Sequence, residues 1–570
     1  MALAWYLLRW SAISTIVGIL AGTASAALLG SLEWATAARE SHLWLIALLP
    51  VGGLLIGLIY HHFGRSVEAG NNLLLEEIHD PKTVIPLRMT PLVLLGTIAS
   101  HLFGGSAGRE GTALQTGASL ADQLTEPLRL GPQDRRILLM AGISAGFGSV
   151  FGTPLAGAIF GLEVLAIGEL RYDALVPCFL SAIVADRVTL LWGAHHTTYR
   201  IPFTPELNGG GIASAVIAGL AFGLTARVFA TVTHGITNTT KRFVRYAPLR
   251  PLLGGIVVAA AVWALGTTRY IGLGIPTIVD AFSRPLPPWD FAAKLLFTGV
   301  TLGSAFKGGE VTPLFFVGAT LGNALGYILP LPSPLLAGMG FCGVFAGAAN
   351  TPVASTLLAM ELFGSEAGLY TGIACMVSYL FSGHSGIYTA QRVGVSKHAV
   401  GVEAEGLAIS MLPALRERWE LDVRKDMSRF EFQMQEDDVT MRKITTLRLY
   451  FPLSATIHET KWWRRIMPRQ LGNYLLKQAK ESGIHQAVMH RVTAGFLEGD
   501  QIAWDISETP PARLPQCLEL IGEEALLRAF IEAERPCLTG VRAVLIRPND
   551  VIWEGSSDES CSMTDAESER

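Results

Sequence analysis

Residues 11–30 and 43–60 carry no charged side chain at all. A stretch of about 20 apolar residues crosses the hydrocarbon core of a bilayer, so a chain with such runs must bury them in lipid or against other helices. Further, mostly uncharged spans follow at about 91–104, 138–162, 174–193, 211–230, 251–266, 291–306, 313–330, 335–360 and 366–382. Several are too short to cross, or are interrupted by Gly and Pro. Past about residue 400 charges become dense and no such span remains. The expected organisation is a membrane domain over 1–400, a charged linker over 401–445, a soluble domain over 446–550 and a disordered tail over 551–570. Composition agrees, with 50% hydrophobic residues, only 16% charged and 60 glycines; glycine is commoner in transmembrane helices than in soluble ones. The net charge of -4 mixes a tail that contributes many acids with a membrane core that contributes fewer, and decides little. The run after Arg9 resembles a signal peptide in isolation, but the many spans behind it favour a retained first helix. The cysteines Cys178, Cys342, Cys375, Cys517, Cys537 and Cys561 lack CxxC spacing and read as packing residues.

Within the apolar part the chain repeats itself. Ala141–Glu163 lies over Met339–Glu361 at a constant shift of 198 positions, matching Gly142 with Gly340, Phe147 with Phe345, Thr153-Pro154 with Thr351-Pro352, and Glu163 with Glu361. Each copy is preceded by a Glu-x-Thr, Glu110-Gly111-Thr112 and Glu310-Val311-Thr312. Duplicated membrane halves with interrupted helices mark transporter folds that bind substrate near the midplane. The loops are too short and mixed for their Lys and Arg counts to say whether the halves are inverted.

Four polar motifs interrupt the apolar sequence. Gly104-Gly105-Ser106-Ala107-Gly108-Arg109-Glu110-Gly111-Thr112 places a glycine turn at the start of a helix-forming run. Irregular backbone at membrane depth is tolerated only where protein or a water-filled cavity covers it. A helix that starts there aims free N–H groups and partial positive charge inward, which suits an anion. Glu110 is then a functional candidate, as an intramembrane carboxylate is by default. Lys307-Gly308-Gly309-Glu310-Val311-Thr312-Pro313 repeats the arrangement, with Glu310 and Thr312 expected at the depth of Glu110. Gly64-Arg65-Ser66-Val67-Glu68-Ala69-Gly70-Asn71-Asn72 offers amide donors and, at Gly70, a close backbone approach, although a capped loop reads the same way. In Ser382-Gly383-His384-Ser385-Gly386-Ile387-Tyr388 the tyrosine is either a neutral donor closing an anion site or an interfacial belt residue.

Gly-Arg-Glu-Gly at 108–111, Gly-Thr-Pro-Leu-Ala-Gly at 152–157 and Gly-Gly-x-x-x-Pro at 308–313 resemble the CLC anion channels and transporters, over about residues 10–395. The resemblance implies an all-α polytopic fold with an inverted repeat of broken helices, and a homodimer with one anion pathway per subunit. The departures from the chloride pattern are informative. Chloride members typically read Gly-Ser-Gly-Ile-Pro where this chain has Gly70-Asn71-Asn72-Leu73-Leu74, and a proline where it has Thr112. Gly308-Gly309-Glu310-Val311-Thr312-Pro313 replaces Gly-Gly-Ile-Phe-Ala-Pro. Glu163-Val164 stands where chloride–proton exchangers often carry two acids, so the inner proton-relay carboxylate is missing. Together these look like the fluoride-exporting branch.

That resemblance implies fluoride–proton antiport for fluoride resistance in a bacterial plasma (inner) membrane. A chloride–proton exchanger or chloride channel of the same fold is the alternative. Glu110 would gate and carry a proton, and Glu310 would pass the proton on. Gly70, Asn71, Val311, Thr312 and Tyr388 would line the fluoride site. Fluoride holds water tightly, so its dehydration needs strong, close donors, and phenylalanine edges with their positive potential also suit it. The expected partners are fluoride or chloride, protons, a second copy of the chain and the lipid bilayer. No cofactor, metal or nucleic acid is expected. An embedded hydrolase finds no support, since His61-His62, His101 and His384 show no HExxH or zinc spacing.

Beyond the linker, strand 446–451, helix 461–482, strands 486–495 and 500–507, helix 518–535 and strand 541–547 form an expected α+β, ferredoxin-like layout. It faintly resembles small PII-like regulatory domains, and is expected to be cytoplasmic, with a small ligand of unknown identity.

Overall fold

The computed structural model of the chain describes residues 2–397, 406–412, 444–452, 454–456, 470–491, 494–495, 503–504, 515–538 and 541–546. The chain divides into two compact units, Met1–Glu417 and Arg418–Arg570. The expected disordered tail lies outside the described residues, as does the expected charged linker, with its helical pattern from Leu412 to Arg442, apart from residues 406–412 and 444–445.

The first unit holds sixteen α-helices among the described residues, eight in each half. In the first half these are α1 (Ala2–Ser41), α2 (Leu49–Phe63), α3 (Asn71–His79), α4 (Met89–Leu102), α5 (Glu110–Asp122), α6 (Pro132–Phe151), α7 (Pro154–Glu163) and α8 (Leu175–Leu191). The second half holds α9 (Gly209–Phe243), α10 (Leu249–Leu265), α11 (Ile275–Ala281), α12 (Asp290–Gly303), α13 (Val311–Leu325), α14 (Ser333–Ala349), α15 (Pro352–Phe363) and α16 (Gly368–Phe381). Four helical stretches are long and apolar enough to cross a membrane: Ala4–Ser41, Leu43–Phe63, Tyr172–Leu191 and Gly209–Phe243. Most of the others are shorter, and the starts of α5 and α13 lie inside the protein.

Two apolar runs of the sequence each break into a helix pair at the same place in the repeat. α6 stops at Gly152, whose φ of 71° is left-handed, and α7 restarts with Pro154 in its first turn. α14 stops at Asn350 (φ 58°), and α15 restarts with Pro352. Gly and Asn are the residues that adopt this conformation at low cost, and proline fits a first helical turn because it lacks only an N–H that would be unpaired there anyway.

Within each half the helices pack through glycine. A Cβ on Gly142 would lie 2.8 Å from Ala118 Cα, in the α5–α6 crossing, and one on Gly340 would overlap the Gly318 carbonyl in the α13–α14 crossing. Buried phenylalanines, among them Phe147, Phe160, Phe315, Phe341 and Phe345, fill the centre. After α16 a two-residue parallel pairing joins β1 (Ala166–Ile167) to β2 (Arg392–Val393), and Ile409 and Leu412 are buried against it.

The second unit contains β3 (Ile444–Pro452), α17 (Leu471–Glu481), β4 (Gln486–Arg491), the short pair β5 (Ala494–Gly495) and β6 (Ala503–Trp504), β7 (Pro515–Glu523), α18 (Glu524–Glu534) and β8 (Arg542–Ile546). Four strands form one antiparallel sheet in the order β4-β7-β3-β8. Leu447, Leu449, Phe451, Leu518 and Leu520 meet Leu471, Leu475, Leu527 and Phe530 of the two helices in its core. The helix expected over 518–535 is corrected here. Residues 515–523 form a strand between two neighbours: Leu518 and Leu520 face the core and Glu519, between them, turns the other way to pair with Arg448, a period of two, and the helix begins only at Glu524. The expected strand at 500–507 is described only at 503–504.

Candidate functional site

The start of α5 and the start of α13 meet. Gly108 and Gly309 form an antiparallel bridge, with Gly108 N donating to Gly309 O at 2.6 Å and Gly309 N to Gly108 O at 2.7 Å. Only glycine permits this approach: a Cβ on Gly309 would lie 2.7 Å from Gly111 N. Two helix N-termini are thereby held against each other inside the protein, and their free N–H groups favour negative charge between them.

That charge is Glu110, fully buried at the first position of α5. Its Oε2 accepts from Thr312 N at 3.0 Å and Arg109 N at 3.1 Å, and its Oε1 accepts from the Thr312 hydroxyl. The Arg109 Nε lies 3.7 Å from the same Oε1. The carboxylate of one half therefore sits in the helix start of the other.

The bridge also corrects the expected correspondence between the halves. With 108 opposite 309, Glu110 matches Val311, and Glu310 matches Arg109. The two Glu-x-Thr triplets are displaced by one residue and are not equivalents. Thr312 does stand at the Glu110 carboxylate. Glu310 caps α13 by position and is partly buried, but no hydrogen bond to its carboxylate is formed among the described residues.

The remaining predicted residues arrive from two further segments. Gly70, at a left-handed φ of 59°, precedes α3, and a Cβ on Gly111 would lie 3.0 Å from Asn71 Nδ2, so Asn71 packs on the start of α5. The Asn71 Oδ1 is buried without a hydrogen bond. Asn72 Oδ1 accepts from Ala390 N at 3.0 Å, tying this loop to the segment that carries Tyr388. The Tyr388 hydroxyl is buried without a hydrogen bond, within electrostatic reach of both Glu310 and Glu110. Its ring meets Phe160 edge-to-face at 6.5 Å between centroids, and Phe160 stacks on Phe147 at 4.3 Å. Buried polar groups are nearly always paired; two unpaired groups beside one carboxylate describe a polar niche.

Several supports were not legible beforehand. Thr112, noted only as a departure from proline, bonds Thr97 of α4 at 2.6 Å between hydroxyl oxygens. Arg135 of α6 holds Asp122 of α5 and Glu77 of α3 in one buried network, with 2.8 and 2.9 Å contacts, which fixes the two helices that bear Glu110 and Asn71.

The repeated glutamates have a reciprocal task. Glu163, at the end of α7, accepts from Val353 N at 3.0 Å and Ala354 N at 2.8 Å, at the start of α15. Glu361, near the end of α15, accepts from Leu155 N at 3.0 Å and Ala156 N at 2.8 Å, at the start of α7. The two helices are therefore antiparallel and exchange caps about a two-fold axis, the arrangement of an inverted repeat.

Close to Arg109, His196 lies against Gly152, its ring Nε2 3.8 Å from Asp186 Oδ1. It sits outside the helices. Burial lowers the proton affinity of its imidazole, and the nearby Asp186 opposes that shift.

This arrangement matches known proteins. Residues 52–383 match the voltage gated chloride channel family. Over 399 residues, 69% of this chain and 88% of the relative, the chain is 59% identical to a Pseudomonas syringae pv. tomato protein named "Chloride/fluoride channel protein". It is 29% identical over 418 residues to the voltage-gated ClC-type chloride channel ClcB of Salmonella dublin, covering 66% of this chain and 97% of that one. Among solved structures, a CLC-type fluoride/proton antiporter aligns with a TM-score of 0.67 at 34% identity, over 68% of this chain and 99% of that one. A slow cyanobacterial Cl-/H+ antiporter shares the fold at a TM-score of 0.59 and 19% identity, over 67% and 96%. This chain is a membrane protein of the CLC family of anion channels and transporters.

Proposed function

We propose that the chain exports fluoride from a bacterial cell in exchange for protons, with Glu110 as the group that alternates with the anion. The observation that carries this reading is the Glu110 niche: a carboxylate held by the Thr312 N–H, the Thr312 hydroxyl and the Arg109 N–H. Each of these donors would serve an anion equally once the carboxylate is protonated and leaves. Tyr388 and Asn71 border the niche with polar atoms that have no hydrogen-bond partner among the described residues, and Asn71 can turn its amide N–H toward an anion. The relatives named for fluoride favour fluoride as that anion, and chloride is the second reading because the Pseudomonas relative is named for both.

Val164 is a buried apolar residue and cannot relay a proton. The proton therefore shares the anion route, with Glu310 as the acid that exchanges it with Glu110. Gly70 and Val311 contribute backbone to the fluoride path. The protein acts as a homodimer in the inner membrane. The second unit faces the cytoplasm as a ferredoxin-like, PII-like domain that binds a small ligand. Its strand order β4-β7-β3-β8, read with the helices α17 and α18, supports this layout.

The test is efflux from proteoliposomes followed with fluoride and chloride electrodes, with and without a proton gradient. Wild type is expected to couple fluoride efflux to proton uptake, and Glu110→Ala to lose that coupling. Intact proton-coupled fluoride flux in Glu110→Ala would sink the scheme. Faster chloride than fluoride flux in wild type would favour the second reading.

A further inference from the structure

A cavity of about 300 Å³ opens between the end of α2, the start of α10 and the turn before α13. Tyr60, His61, Arg65, Glu68, Arg250 and Lys307 line it. Three basic side chains thus face one carboxylate. Lys307 Nζ lies 4.0 Å from the centroid of the Tyr60 ring and forms no ion pair among the described residues. Arg65 bonds His61 O at 2.9 Å and His61 Nε2 at 3.0 Å, which leaves one terminal nitrogen unengaged there. Arg250 bonds Val244 O through Nε at 3.0 Å, which leaves both terminal nitrogens unengaged among the described residues. Guanidinium groups with terminal N–H donors to spare, lining one cavity, suit a phosphate.

A second cavity, of about 280 Å³, adjoins the first and shares Tyr60 with it. It is a groove between α2 and α4 lined by Leu55, Ile59, Leu92, Leu95 and Phe103, and its Gly96 packs on the stem of Lys307. A free phosphate has no use for such a groove; an acyl chain does. The segment 241–250 adds Lys241, Arg242 and Arg245 to Arg250 with no acid among them, and its Phe243 and Tyr246 are exposed. Clustered bases with exposed aromatics next to membrane helices are the pattern that attracts anionic lipid headgroups.

We propose that the two cavities together hold one anionic phospholipid, its phosphate among Arg65, Arg250 and Lys307 and an acyl chain in the α2–α4 groove. Lys307 immediately precedes Gly308-Gly309-Glu310, and Glu68 lies two residues before Gly70. The occupied site therefore braces both loops that build the anion niche, and a regulatory effect on transport, unlike the binding itself, rests on the function proposed above.

The test titrates delipidated full-length protein in detergent with phosphatidylglycerol, phosphatidylcholine or inorganic phosphate, and reads thermal stabilisation. Phosphatidylglycerol is expected to stabilise wild type at low concentration, and Arg65→Gln/Arg250→Gln to raise its half-saturating concentration about tenfold, as expected for the loss of charge-assisted contacts worth about 1.4 kcal/mol or more. Leu95→Trp, which fills the groove, is expected to weaken the lipid effect. Equal stabilisation by inorganic phosphate would overturn the lipid assignment in favour of a free anion site. Equal responses of wild type and the double variant would overturn the site itself. Fluoride efflux from phosphatidylcholine vesicles with and without phosphatidylglycerol completes the test. Arg250→Gln should match wild type without the anionic lipid and lose its enhancement with it. A variant slowed equally in both compositions would make the cavity an anion entry route and overturn the proposal. Because the titration needs no transport, it can fail while fluoride exchange stands, and the reverse.

Discussion

Replacing Glu163 by Gln tests whether the repeated glutamates are structural caps or part of the ion path. The Glu163 carboxylate, 6% exposed, receives two backbone N–H groups from the start of α15. Glutamine keeps one acceptor oxygen and turns an NH₂ toward the second N–H, so one charge-assisted bond is lost and one buried donor is stranded. A hydrogen bond to a charged group is worth about 1.5–3 kcal/mol, and a stranded buried group costs a comparable amount, so we expect a loss of about 3 kcal/mol. Glu361→Gln removes the matching bond at the start of α7, but Glu361 is less buried and Leu155 is 43% exposed. Water can replace that bond, and the expected loss is about 1 kcal/mol. The assay is the thermal midpoint of the folded peak in detergent for both single variants, with fluoride efflux normalised to folded protein. The predicted order is wild type, then Glu361→Gln, then Glu163→Gln, at unchanged efflux per folded molecule. Equal midpoints would refute the capping argument. A normal midpoint with lost proton coupling would instead place Glu163 in the proton route.

Tyr388→Phe is expected to leave the thermal midpoint unchanged or slightly raised, because the buried hydroxyl it removes has no protein partner. Fluoride efflux should nevertheless fall about tenfold, the worth of one hydrogen bond of about 1.4 kcal/mol to the anion; a lowered midpoint at full efflux would contradict both halves of that reasoning. Gly340→Ala places a methyl group against the Gly318 carbonyl and should cost about 1–3 kcal/mol or prevent assembly of the α13–α14 pair. Gly30→Ala, with open space around the new Cβ, should be neutral in the same folded-peak measurement.

How much of this was legible in the sequence depends on whether the relevant physics is local. The glycine turns before Glu110 and Val311 are local: polar backbone at membrane depth needs a reason, and the reason is visible in nine and seven consecutive residues. The break between α6 and α7 is local too, since Gly152 and Pro154 each dictate a backbone conformation. The strand at 515–523 was misread because its leucines also fit a helix, and only its two flanking strands decide the matter. The one-residue displacement between Glu110 and Glu310 belongs to a harder class. A constant offset of 198 aligns the later repeat segments, whereas the bridge between Gly108 and Gly309 imposes 201 at the helix starts. Loop residues were gained between the two registers, and matching letters on the wrong side of that gain made two triplets look equivalent. The consequence is chemical. If the triplets corresponded, each half would bring its own acid to its own helix start. In the bridged register one half supplies the acid, Glu110, with the Arg109 N–H, and the other supplies the Thr312 N–H and hydroxyl. In the proposed exchange, an anion competing for those donors would meet a single carboxylate, and Glu310, one position outside the paired starts, would exchange a proton without occupying the anion's place.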